Sequence, residues 1–376
     1  MVYLDYAANS PVDEEVLDLF YDITKKYYAN PNSIHKLGLE TKKMIDGATN
    51  NIAKNLNIEP NEIIYTSGAS ESNNLAIKGI CERYKSNGKH IIVSTLEHNS
   101  IIAPAAVMQE IGFDVDVLPV LANGLVNIDE LKKMIREDTI LVSVCSVDSE
   151  IGIRQPIEEI AKIVKEHSNC HFHTDASQAI GKVNIDFSDV DLITITPHKF
   201  FGMTGTGLLI KKKSVQLKPI INGGKSTTVY RAGTPELANI ISLDIALDKA
   251  IKHQKERLEH VKFLQEIIIE GLKKYPLVHI NNTENSIPST INISVKGVRS
   301  LDLAKRLEES DIYVSTKTSC CPSESPSKLV YALTKDKSLA SSSLRISLSH
   351  LTKKEEIEYF LNEFDKAYKE LTNGKA

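Results

Sequence analysis

Four stretches of this chain carry residues whose types and spacing suit chemistry rather than packing. In TITPHKFFGMTGTG (Thr194 to Gly207) a β-branched run ends in Thr-Pro-His-Lys, and a glycine-rich segment follows. A lysine at the buried mouth of a sheet is costly as a free ammonium. Desolvation lowers its pKa and makes its amine nucleophilic toward a carbonyl, so Lys199 could hold an aldehyde as a Schiff base. The glycines do not read as a nucleotide loop, because GxxxxGK[ST] is absent and a strand follows instead of a helix. SGASESNN (Ser67 to Asn74) follows a strand and opens a helix; it reads as an anion site at a helix N-terminus or as a capped helix after a glycine turn. HTDASQAIG (His173 to Gly181) ends a strand with Asp175, either a functional carboxylate or a helix cap. VSTKTSCCPSESPSKL (Val314 to Leu329) sets Cys320 and Cys321 side by side on a polar loop, although cysteine is usually buried.

These residues need a frame. Strand-like runs such as NEIIYT, HIIVS and ILVSVC alternate with helical patterns up to about Lys211. That βαβα rhythm predicts a mostly parallel sheet covered by helices on both faces. After Pro235 the texture changes: one long helical pattern from about Glu236 to Lys274, then strands, shorter helices and a final amphipathic helix from Thr352. This reads as an α+β lobe. In open parallel sheets ligands bind beyond the carboxyl ends of the strands. The polar residues expected there are Ser67–Ser72, Glu97–His98, Asp148–Glu150, Asp175–Gln178 and Thr196–Lys199.

Bulk properties narrow the class. The 376 residues suggest two packed lobes, with 41% hydrophobic and 25% charged residues. A net charge of −4 gives no reason to expect nucleic acid or an anionic membrane as partner. No secretory signal is visible and no apolar run approaches the roughly 20 residues of a membrane span, so a cytoplasmic protein is expected. Five cysteines, an odd number with no CxxC pair, speak against a disulfide framework or a metal site. Cys81, Cys145 and Cys170 lie in or beside apolar segments and read as core thiols. A bond between the adjacent pair would be strained, since neighbouring Cα atoms are about 3.8 Å apart.

SGASESNN, EHNS, VDSEIGIRQP, HTDASQAIGK, TPHKFFG, RAGTP and SSLRISLS, with LDYAANSPV at the start, occur in an order and spacing that carry a family signal. Over nearly its whole length the chain resembles the class V aminotransferase-like enzymes that use pyridoxal phosphate, and among them the cysteine desulfurases of the NifS/IscS type. The resemblance implies the α/β fold of PLP-dependent transferases of fold type I. A large domain, residues 15–240, would hold a mostly parallel seven-stranded sheet between helices. Residues 1–14 and 241–376 would form a smaller α+β domain carrying the cysteine loop.

The resemblance also implies roles. Lys199 would bind pyridoxal 5'-phosphate covalently, Asp175 would pair with the pyridine nitrogen, Gln178 would bond the ring hydroxyl, and His98 would stack on the ring and move protons. Ala69, Ser70, Thr196 and His198 would hold the phosphate, with Thr234 reaching it in the other subunit of a homodimer. Arg345 would bind the substrate carboxylate, and Ser149 would lie beside the ring hydroxyl and the substrate. Cys320 would be the nucleophile that takes sulfur from L-cysteine, leaving L-alanine, and passes it to an acceptor protein or small thiol. Departures from the family pattern are Ser149 for the usual Asn, TKTSCC for a small-residue run ending in Ala-Cys, Pro197 for a small residue, and Ser70 for Thr. Rival readings are a selenocysteine lyase, an aminotransferase, or an inactive scaffold paralogue.

Overall fold

The computed structural model describes residues 1–316 and 325–372. These residues form three sheets. The largest has seven strands, in spatial order Ile63–Thr66, Gly207–Lys211, Leu192–Ile195, His171–Asp175, Thr139–Ser143, His90–Ser94 and Asp114–Leu118. From Leu192–Ile195 to Asp114–Leu118 all neighbours are parallel. Gly207–Lys211 runs antiparallel to both of its neighbours. Six strands therefore point one way, and their carboxyl ends share one edge, as the βαβα rhythm predicts.

Alternation along the strands builds two cores. Ile91, Val93, Leu141, Leu192 and Leu209 face one helical layer, whereas Ile92, Val142, Ile193, Leu208 and Ile210 face the other. Side chains of a strand alternate between faces, so apolar residues at consecutive positions mean cover on both sides. The four strands HIIVS, TILVS, LITI and GLLIK are buried throughout.

A further core forms on an antiparallel sheet of Ser343–Ser347, Thr290–Val295 and Val278–Ile280, packed by the helices Gln254–Leu272 and Lys354–Thr372. Val2 and Leu4 insert into it, and the strand Val2–Tyr3 pairs in parallel with Ile312–Tyr313. The chain start then crosses toward Lys199. The Ser347 hydroxyl accepts from the Ala7 amide at 2.9 Å, and Ser10 donates twice to the His198 carbonyl, at 2.9 and 3.0 Å.

The structure differs from the sequence reading in several places. The long helix expected over 236–274 is two helices, Leu237–Lys252 and Gln254–Leu272, broken at His253 (φ −98°, ψ 7°). No Gly or Pro marks the break. It arises because the first helix packs on the seven-stranded sheet and the second on the smaller one. Leu243, Ala246, Leu247 and Ala250 accordingly belong to the larger core, past the expected boundary at residue 240. The helices Glu14–Lys26, Lys36–Leu56, Lys328–Thr334 and Lys337–Ser341 and the strand Val278–Ile280 were not anticipated from sequence.

Two glycines set the corner where the first sheet strand meets its helix. Gly68 has φ +147°, a conformation that residues with a Cβ rarely adopt. A Cβ on Gly207 would stand 2.7 Å from Gly68 Cα. Gly207→Ala should therefore destabilise the protein by about 1–3 kcal/mol. Gly47→Ala, at a helical position with nothing within 4 Å of the new Cβ, should stabilise it by about 0.4–1 kcal/mol. Urea midpoints of the two variants against the parent measure both.

Candidate active site

A cavity of about 400 Å³ opens at the carboxyl edge of the large sheet. Its lining includes Ala69, Ser70, His98, Ser149, Asp175, Gln178, Thr196, His198, Lys199 and Arg345. Ten residues singled out in the sequence thus meet in one place. Thr234 is exposed and does not line this cavity. Cys320 and Cys321 lie outside the described residues.

Each group is positioned by an element that ends here. Ser67 and Gly68 lead from the strand Ile63–Thr66 into the 16-residue helix Ala69–Tyr84, whose first amides border the cavity. Free N–H groups and the positive end of the helix dipole make that corner fit for an anion. Glu71 in the first turn would oppose an anion, but its carboxylate is engaged. It accepts from Arg231 Nε at 2.9 Å and from the Ser67 amide at 2.7 Å. Burial acts upward on the Glu71 carboxyl, yet the bonds from Arg231 and Ser67 together hold it below the usual carboxylate range.

Asp175 closes the strand His171–Asp175, and its carboxylate is fixed by Asn73 Nδ2 at 2.8 Å and by the Ser177 amide at 2.9 Å. Gln178 donates from Nε2 to the Ala7 carbonyl at 2.9 Å and accepts from Lys182 Nζ at 2.6 Å. Lys199 follows the strand Leu192–Ile195 in a short 3₁₀ turn, Pro197–Lys199, and donates to the Ala7 carbonyl at 2.8 Å and to that of Ala8. His198 Nδ1 lies 2.9 Å from Thr196 Oγ1. Burial, then the charges of Lys199 and Lys182, push the His198 imidazole down to about 4.

Arg345 is 1% exposed. Its Nη2 donates to Asp5 at 2.7 Å and its Nη1 to the Ser149 carbonyl at 2.7 Å, while among the described residues its buried Nε has no hydrogen-bond partner. Ser149 is presented by a turn that Asp148 builds, with its carboxylate accepting from the amides of Glu150, Ile151 and Ile153. Cys81, Cys145 and Cys170 are free and buried, as the sequence suggests, and burial raises each thiol's pKa. Cys145 also borders the cavity.

Several participants were not evident from the sequence. Ala7 and Ala8 act through backbone carbonyls, which no side-chain pattern reveals. Lys182 lies one turn beyond Gln178; burial, then the charges of Lys199 and Arg345, lower it to about 7. Asn73 is fully buried on a helix, and a polar residue on an apolar helix face is a signal that could have found it. Glu97, expected at this edge from the sequence, stands beside the site. Its Oε1 accepts from Ser94 Oγ and the Cys145 amide, both at 2.7 Å, and among the described residues its buried Oε2 has no partner.

The pocket fits pyridoxal phosphate on observations of its own. It pairs an amine with a buried carboxylate across one cavity, sets an anion corner against a glycine with positive φ, and leaves a buried guanidinium N–H unanswered. An α/β sheet with a lysine at this edge is the architecture of the fold-type I PLP enzymes.

The class-V aminotransferase family matches residues 2–360. A cysteine desulfurase IscS from Dictyoglomus turgidum is 38% identical over 98% of this chain and 95% of the relative. A solved NifS-like protein superposes with a TM-score of 0.92 at 32% identity, covering 97% of this chain and 98% of the other. A structure described as SspA in complex with cysteine gives 0.81 at 31% identity, covering 93% and 99%. The chain belongs to the class-V aminotransferase family and, within it, to the NifS/IscS-type cysteine desulfurases.

Glu97 yields a pH prediction. Burial pushes its carboxyl up to about 8, from an ordinary value of 4.5. An acid raised in the folded state keeps its proton where the unfolded chain has lost it, so stability falls as pH climbs through that window. Glu97→Gln should flatten the fall between pH 4.5 and about 8, measured by urea unfolding at a series of pH values.

Proposed function

We propose that this protein converts L-cysteine to L-alanine and transfers the sulfur to Cys320 as a persulfide, for delivery to an acceptor protein or small thiol. The observation that carries this reading is where the Cys320 loop is rooted. Ser315 pairs with Arg345 through both backbone bonds, 2.6 and 3.1 Å. Cys320 stands five residues farther on. Five residues of chain reach at most about 18 Å between Cα atoms, which ties Cys320 in sequence to the strand that carries Arg345. On the far side, Ser327 donates to Glu150 at 2.6 Å, next to Ser149 of the cavity.

Pyridoxal phosphate, when bound, supplies an electron-poor ring that stabilises negative charge on the substrate Cα. Lys199 would hold it, Asp175 would face the ring nitrogen, and Gln178 would turn its remaining amide hydrogen toward the ring hydroxyl. The helix start at Ala69 and Ser70, with Thr196 and His198, would hold the phosphate. Arg345, already clamped by Asp5 and Ser149, offers its unanswered Nε to the substrate carboxylate.

Lys199 takes the Cα proton and later returns it to carbon. The Cys320 thiolate attacks the substrate sulfur. An S–S bond forms as the Cβ–S bond breaks, and its electron pair goes to Cβ, which a proton then quenches. The substrate carbon is reduced by two electrons as the sulfur pair is oxidised, so cysteine plus the Cys320 thiol gives alanine plus the Cys320 persulfide without an added oxidant.

The proposed assembly is a homodimer. Ile34 and Val229 are 93% and 60% exposed on segments joined by an Asn32–Ser226 hydrogen bond. Apolar exposure on this scale suits a protein interface. Thr234 would cross it to the partner's phosphate. The proposed compartment is the cytoplasm, where free thiols persist. Among the described residues no helix is long and apolar enough to cross a membrane.

Cys320→Ser should keep the visible cofactor band and lose alanine formation from cysteine by about a hundredfold or more. Lys199→Ala should lose the lysine-linked band itself. In the parent, mass spectrometry after cysteine treatment should find one added sulfur atom on Cys320. Normal turnover in the serine variant refutes the assignment.

A further inference from the structure

His98 precedes the helix Asn99–Glu110 and caps it with its own ring, Nδ1 accepting the Ser100 amide at 3.1 Å. A backbone N–H can only donate, so Nδ1 must present a lone pair. The Ser100 hydroxyl works in the same direction. Asn73 Nδ2 lies 2.8 Å from Asp175 Oδ2 and 2.8 Å from Ser100 Oγ, so both of its hydrogens are used and Ser100 Oγ accepts one. The hydroxyl hydrogen of Ser100 is then directed to His98 Nδ1, 2.8 Å away. Two donors converge on Nδ1, and the positive end of a 12-residue helix stands behind them.

We propose that this cap locks His98 as the neutral tautomer with its hydrogen on Nε2, making it a stacking face and hydrogen-bond donor to the bound ligand, while proton removal at Cα falls to Lys199. A ring in that state cannot accept a proton at Nε2, which already carries one, nor at Nδ1 without breaking the cap. Ser100 is thereby a positioning residue for His98, and Asn73 ties the same network to Asp175. Burial lowers the His98 pKa; the nearby Asp175 charge works against this and Lys199 adds to it. The tautomer follows from the capping geometry, whereas the division of labour with Lys199 rests on the proposed desulfurase reading.

The experiment is nitrogen NMR of histidine-labelled, pyridoxal phosphate-loaded protein, with His98→Gln identifying the resonance. A pyrrole-type Nε2 and a pyridine-type Nδ1 that persist below the ordinary imidazole pKa of about 6.5 are expected. A hydrogen on Nδ1, or ordinary titration, overturns the proposal. Two substitutions test the function of the lock. An asparagine amide reaches the place of Nδ1 and can keep the cap; a glutamine amide reaches the place of Nε2 and can keep the donor. His98→Gln should retain about tenfold more turnover than His98→Asn at equal cofactor loading. Equal or reversed turnover overturns the donor role. The spectrum is read without turnover, so failure of the desulfurase reading leaves the tautomer result intact.

Discussion

A primary amine taken out of water must find acceptors or give up its charge, and Lys199 finds them in the carbonyls of Ala7 and Ala8. Much of the architecture follows from that need. The acceptors come from the chain start, which is anchored in the smaller core by Val2 and Leu4 and pinned to the Lys199 turn by Ser10. The amine is therefore steadied by a segment belonging to the other core. Separating the two cores would take both of these acceptors from the nitrogen.

The same crossing organises the charges. Lys199, His198 and Arg345 line the cavity, Lys182 reaches Gln178 beside it, and Asp5 answers Arg345. Burial and the neighbouring positive charges lower both His198 and Lys182 from their ordinary values. Among the described residues, Arg345 Nε has no hydrogen-bond partner in the interior. A ligand with a phosphate at one end and a carboxylate at the other answers both the helix start at Ala69 and this guanidinium.

Sequence carried the site further than it carried the fold's turns. Lys199, Asp175, His98 and Gln178 were legible as polar residues at or just past a strand's carboxyl end, and a parallel sheet gathers those ends. The break at His253 was not legible. Local propensity there favours one continuous helix, and only the two separate surfaces it must cover divide it. Lys182 was hidden for a related reason. A lysine after a helical turn reads as solvated, and its partner Gln178 and its burial exist only once the chain start is folded over it. Asp5 likewise had no periodic signal, since its role comes from meeting Arg345 across 340 positions of sequence.

The backbone pairing of Ser315 with Arg345 fixes the root of the arginine side chain. The guanidinium at the other end of the same residue is held by Asp5 and by the Ser149 carbonyl. A side chain fixed at both its root and its tip has little room to swing, so an anion must be brought to this guanidinium and not the reverse.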